Sequence, residues 1–198
     1  MSFPSARAAL LAALVAGSAA LVAVLRLASA PPLPVLGSVP AFSLTTHEGR
    51  PLSRSSLVGR AWVAAFVFTR CGGICPAMTS RMARLQKEVP AGTRLVSFTV
   101  DPRNDTPETL ARYAKEFRAG PDWLFVTGTQ EALLALAVAG FKLAAFEVPP
   151  EERRAGGDGP FLHSSKLVLV DAAGQARGYY DSADEGAVRR LLDDLGRL

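Results

Sequence analysis

The chain has 198 residues, 49% of them apolar and 20% charged, with a net charge of +4. That is enough apolar material for one sizeable core plus accessories, and it excludes a globally disordered chain. Residues 1–30 contain Arg7 and Arg26 but no acid, so the remainder carries 20 basic against 18 acidic side chains, or +2; without a basic stripe interleaved with aromatics there is no electrostatic case for nucleic acid.

Ala8 to Leu25 is an unbroken apolar run of 18 residues between Arg7 and Arg26, long enough to be read as a single membrane-spanning helix. Ala28-Ser29-Ala30 has the small-residue pattern of a signal cleavage site, but Pro31 and Pro32 follow at once and the run exceeds a typical signal core, so residues 1–30 are expected to be a retained anchor rather than a removed signal sequence. The free amino terminus and Arg7 tip the N-terminus toward the cytoplasm, which places residues 31–198 outside it. Residues 31–40, rich in proline, read as an extended spacer. The globular domain is expected over 41–198.

Within that domain Phe42 to Thr45 reads as a short strand and His47 to Arg50 as a surface turn, with His47 a solvated turn residue. Ala61 to Phe68 is continuously apolar with β-branched and aromatic members, the pattern of a strand buried on both faces. Met78, Met82, Leu85 and Val89 then recur at helical spacing, so both methionines are assigned to the core. Arg94 to Val100 is a second buried strand. Thr106 before Pro107 marks a helix start, and Leu110, Tyr113 and Phe117 give that helix its apolar face. Trp123 to Thr127 is a third strand and Gln130 to Ala139 a largely buried helix. Val148 to Gly159 is a loop by composition, long enough to suggest a functional role. Lys166 to Val170 and Gln175 to Tyr180 flank Asp171-Ala172-Ala173-Gly174 as a hairpin. Ser182 and Glu185 read as a capping box ahead of the helical stripe Val188, Leu191, Leu192, Leu195. Such alternation predicts an α/β fold of thioredoxin-like type, a central mixed sheet flanked by helices.

Chemistry is concentrated in three residues. Cys71 and Cys75, the chain's two cysteines, sit where a buried strand gives way to a helix. If the turn is helical, four-residue spacing puts both sulfurs on one face, and a helix N-terminus is expected to draw thiols toward thiolate. A structural disulfide across three intervening residues constrains the unfolded chain little. Gly72, Gly73 and Pro76 mark an exposed turn rather than a packed core. His163 follows the long loop and is expected to open the strand Lys166 to Val170, which in such a sheet ends beside the cysteine loop. Two thiolates with one imidazole form a soft three-donor set, which favours Cu(I), and with the imidazole also Cu(II), over a four-ligand structural zinc site. The same dithiol also suits a thiol-disulfide reductase that keeps a partner's cysteines reduced, with Cys71 and Cys75 catalytic; a peroxidase is a weaker third reading.

The stretch Phe66-Val67-Phe68-Thr69-Arg70-Cys71-Gly72-Gly73-Ile74-Cys75-Pro76, the stretch Thr99 to Pro107 and Leu162-His163-Ser164 before Lys166 to Asp171 resemble, in that order, the motifs of the Sco/SenC copper-chaperone family. The resemblance covers nearly all of residues 41–198. It implies a thioredoxin-like fold on the outer face of a bacterial cytoplasmic membrane, or facing the intermembrane space in mitochondria, with the Ala- and Arg-rich composition pointing to the first, and copper held by Cys71, Cys75 and His163. It further implies delivery to the dinuclear copper site of cytochrome c oxidase, so that the partners are its copper-receiving subunit and a thiol-disulfide oxidoreductase. Asp101 and Asp105 match family positions, although turn and helix-start carboxylates are an equal reading. Gly72 stands where many members have proline, implying a more flexible loop. Leu162 stands where many carry an acid, which removes a carboxylate from beside the histidine.

Overall fold

The structure, a computed structural model, describes residues 14–18, 31–153 and 159–198. The anchor expected over residues 1–30 lies, apart from the helical residues 14–18, outside the described residues; among the described residues no helix is long and apolar enough to cross a membrane. Residues 33–198 form one compact unit.

Its strands are β1 (Gly37–Ser38), β2 (Ser43–Thr46), β3 (Pro51–Ser53), β4 (Trp62–Val67), β5 (Arg94–Thr99), β6 (Trp123–Thr127), β7 (Ala145–Glu147), β8 (Phe161–His163), β9 (Lys166–Val170) and β10 (Gln175–Asp181). Its helices are α1 (Cys75–Leu85), α2 (Pro107–Glu116), α3 (Gln130–Ala135) and α4 (Glu185–Leu195). Eight strands make one mixed sheet in the order β1-β10-β9-β4-β5-β6-β2-β3, and β7 and β8 form a separate antiparallel ribbon. The parallel pairs β4–β5 and β5–β6 occupy the middle, where every residue from Trp62 to Val67 is buried. Continuous apolar sequence produces this: a parallel strand covered on both faces has no solvent side for polar residues. Trp62, Phe66, Phe98 and Phe141 close one layer of the core, with Phe66 and Phe98 stacked at 5.2 Å. This is the thioredoxin-like α/β arrangement expected from the sequence.

Several local expectations are corrected. Residues 33–39, read as spacer, are part of the compact unit: β1 pairs with β10, Leu36 N donates to Ala176 O at 2.8 Å, and Val39 is fully buried. Proline stiffens such a segment without preventing the non-proline amides between from pairing. His47 is half-buried, its Nδ1 accepting from Phe125 N at 3.2 Å and its ring edge-on to Phe125. The last helix is capped by Asp184, whose carboxylate accepts from Gly186 N, because Glu185 is held elsewhere by Arg81 and Ser182 is buried. The helix at Gln130 widens into a π-turn over Leu136–Gly140, closed by Phe141 N donating to Leu136 O at 2.9 Å, and Phe141 is fully buried in the core.

Candidate metal centre

The cysteine loop, residues 68–74, leaves the carboxyl end of the buried strand β4 and runs into α1 at Cys75. The next loop, Val100 to Thr106, leaves the carboxyl end of the neighbouring β5, so both open on the same edge of the sheet, the usual place for a site in parallel α/β structure. Backbone and side-chain bonds fix the first loop to the second. Thr69 donates to the Asp105 carboxylate through its amide at 3.1 Å and through its hydroxyl, and Thr99 donates to the same carboxylate. Arg70 reaches Asp101 at 3.2 Å, and Asn104 donates to both Asp101 oxygens at 2.9 Å. Asp101 and Asp105 are both fully buried. The sequence offered them as turn and helix-start carboxylates; their burial and their grip on Thr69 and Arg70, the two residues before Cys71, were not legible there. The signals there were two acids four apart flanking a turn after a buried strand, and their match to positions of the family motif.

His163 is not the first residue of β9, as expected, but the last of β8, opposite Ala145 of β7. The ribbon is apolar and exposed on one side through Phe146 and Leu162, while Ala145 and Phe161 turn inward. Alternation therefore carries His163 to the inward side with Phe161. Phe68 braces that side, its ring 5.8 Å from both the Phe161 and the His163 rings.

Cys71, Cys75 and His163 are brought together: one donor atom from each lies within 4.8 Å of the other two. Cys75 is fully buried and Cys71 nearly so. Cys75 Sγ lies 2.9 Å from His163 Nε2 and accepts from Phe68 N at 3.4 Å. His163 Nδ1 lies 3.1 Å from Ser164 O, which can only accept, so Nδ1 carries a proton and Nε2 is the nitrogen that faces the sulfur. Both thiols are free; the disulfide weighed from sequence is not formed. Position in a helix N-terminus was expected to lower the thiols, but burial reverses this for Cys75. Its desolvation outweighs the Phe68 amide, and Cys71 and Asp105 add to it, so its thiol is pushed well above the ordinary range. The helix partial charge acts on a group already withdrawn from water on every side. Met78 and Met82 are fully buried, in the core where periodicity put them.

Two sulfurs and an imidazole nitrogen on one small pocket, at the strand end of a thioredoxin-like sheet, define a dithiol protein equipped for a soft metal or for redox exchange. Comparison then narrows the class. The profile of the SCO1/SenC family matches residues 36–197, and the chain belongs to that family. It is 33% identical over 167 residues to the SCO1 protein homolog of Bacillus subtilis, covering 82% of this chain and 83% of that one. Among solved structures it resembles a SCO1/SenC family lipoprotein from Bacillus anthracis at 28% identity, with a TM-score of 0.75 over 85% of this chain and 99% of that one. It also resembles BsSco, a member of the Sco family of cytochrome c oxidase assembly proteins in which a disulfide switch was identified, at 31% identity, a TM-score of 0.70, and 84% and 98% coverage. Yeast Sco1 with copper bound matches at 25% identity, a TM-score of 0.62, and 80% and 87% coverage.

Proposed function

We propose that this chain is a membrane-anchored copper carrier that holds one copper ion through Cys71, Cys75 and His163 and passes it to the copper-receiving subunit of cytochrome c oxidase for its dinuclear site. One observation carries the reading: three soft or borderline donors from two separate elements converge within 4.8 Å. Joint ligation at bonds of about 2.0–2.3 Å asks for donor separations of roughly 3.3–4 Å, so the arrangement needs small side-chain adjustment and no refolding. A thiolate pair with one neutral imidazole suits Cu(I) and accommodates Cu(II). The copper-bound yeast relative and the oxidase-assembly relative support both the cargo and its destination. The apolar run over residues 8–25 anchors the domain, with residues 31–198 on the outer face of the cytoplasmic membrane. The lipoprotein relative is consistent with membrane attachment.

Anaerobic titration of the reduced chain with Cu(I) tests this. One equivalent binds, and His163→Ala weakens binding by at least the roughly 10–100-fold that losing even an outer-shell partner costs. Wild-type affinity in that variant overturns the site.

The two free thiols also support a second reading, in which Cys71 and Cys75 close to a disulfide while reducing a partner's disulfide, two electrons and two protons passing to the partner's sulfurs. A thiol-disulfide oxidoreductase would then reset the pair. That activity requires both cysteines and survives His163→Ala, which separates it from copper delivery.

A further inference from the structure

The chain has four lysines, and two of them, Lys142 and Lys166, line one cleft of about 590 Å³ together with Leu36, Leu143, Ala144 and Tyr179. Lys142 donates one bond to Ala139 O at 2.7 Å and Lys166 pairs with Asp181 at 3.0 Å, so each ammonium keeps N–H donors beyond those contacts. Apolar side chains, two cations and a tyrosine in one lining form the combination found at the water boundary of bilayers.

The entering chain runs along this same edge. Arg177 Nε donates to Pro34 O at 3.0 Å, a second Arg177 nitrogen donates to Leu33 O, and Leu36 N donates to Ala176 O. Asp171 holds the guanidinium in place at 2.7 Å. Val35 and Leu36 remain 56% and 46% exposed although fixed there. Between the end of the apolar run at Leu25 and the docked Leu33 stand residues 26–32. Seven residues reach at most about 25 Å fully extended, so a chain anchored by that run cannot carry this edge far from the headgroups.

We propose that the cleft between Leu36, Lys142 and Lys166 docks on the anionic headgroups of the bilayer that anchors the chain. This rests on the anchored reading above. Ala144 and Ser164 adjoin Ala145 and His163, the paired residues of the ribbon, so docking at the cleft also sets the orientation of the copper pocket relative to the membrane.

The test uses the full chain in vesicles of phosphatidylglycerol or of phosphatidylcholine, floated after an alkaline carbonate wash and then acetylated with a membrane-impermeant reagent. Rates at each lysine are read by mass spectrometry. Lys142 and Lys166 are expected to react about fivefold more slowly on phosphatidylglycerol, while Lys87 and Lys115, exposed on α1's trailing turn and on α2, react alike on both. Lys142→Glu should abolish the slowing at Lys166; because it gives up the Lys142 bond to Ala139 O, circular dichroism at the assay temperature checks that the variant is folded. Retention in the floated vesicles with no slowing at either lysine overturns docking and leaves the anchor standing. Loss of the chain in the carbonate wash overturns the anchor and the docking together. Equal slowing by glycerol phosphate with phosphatidylcholine vesicles makes the cleft a small-anion site and also overturns the proposal.

Discussion

Replacing Asp105 by alanine removes the acceptor that holds the cysteine loop to its neighbour. Three buried or half-buried donors, the Thr69 amide, the Thr69 hydroxyl and the Thr99 hydroxyl, lose their partner together. Each stranded buried donor costs about 1–3 kcal/mol, and release of the carboxyl from a fully buried site returns part of that, for a net loss of ~2–4 kcal/mol. With an m-value of about 2 kcal/mol/M in urea, the unfolding midpoint drops by roughly 1–2 M at unchanged m. Asp105→Asn keeps the shape and one carbonyl acceptor and should lose less. pH separates this role from a bland one. Burial pushes the Asp105 carboxyl above its ordinary range against the pull of the Thr69 and Thr99 bonds, so the folded state holds its proton to higher pH than the unfolded chain does. Its contribution is complete below the unfolded value of about 3.9 and fades as pH rises through the raised folded value, so the stability margin of wild type over Asp105→Asn narrows across that window. A midpoint shift under about 0.25 M for Asp105→Ala, or a margin that widens with pH, refutes the reasoning.

Two further outcomes follow from the same geometry. Arg81 is buried on α1, forks onto Glu185 at the start of α4 and donates to Ser182 O at 3.2 Å; Arg81→Ala should cost ~1–3 kcal/mol by calorimetry, and Arg81→Lys, lacking the fork, should recover only part. Cys71 keeps slight exposure whereas Cys75 is sealed and its thiol held protonated, so Cys75→Ser, which leaves Cys71, should be alkylated by iodoacetamide about tenfold faster than Cys71→Ser; equal rates count against the asymmetry.

Particular residues show where sequence reading stops. Trp62 to Val67, the Met78/Met82 stripe, Thr106-Pro107 and the Asp171 to Gly174 turn appear in the structure as periodicity and turn chemistry demand, because each is decided by neighbours within a few positions. Ser182 and Glu185 failed as a capping box for the opposite reason: a distant arginine competes for the glutamate, and local rules cannot see it.

The sequence by itself determined the buried strands β4, β5 and β6, the four helices and the closing hairpin in their order, the candidate ligands Cys71, Cys75 and His163, and the family; β1, β3 and the ribbon of β7 and β8 were not among the expected elements. Tertiary structure alone decided that His163 sits on a separate ribbon facing Cys75, that Asp101 and Asp105 are buried anchors of the cysteine loop, and that burial overrides the helix terminus at Cys75. Periodicity reports which face of an element avoids water, whereas desolvation and long-range hydrogen bonds depend on what the folded chain places opposite that face.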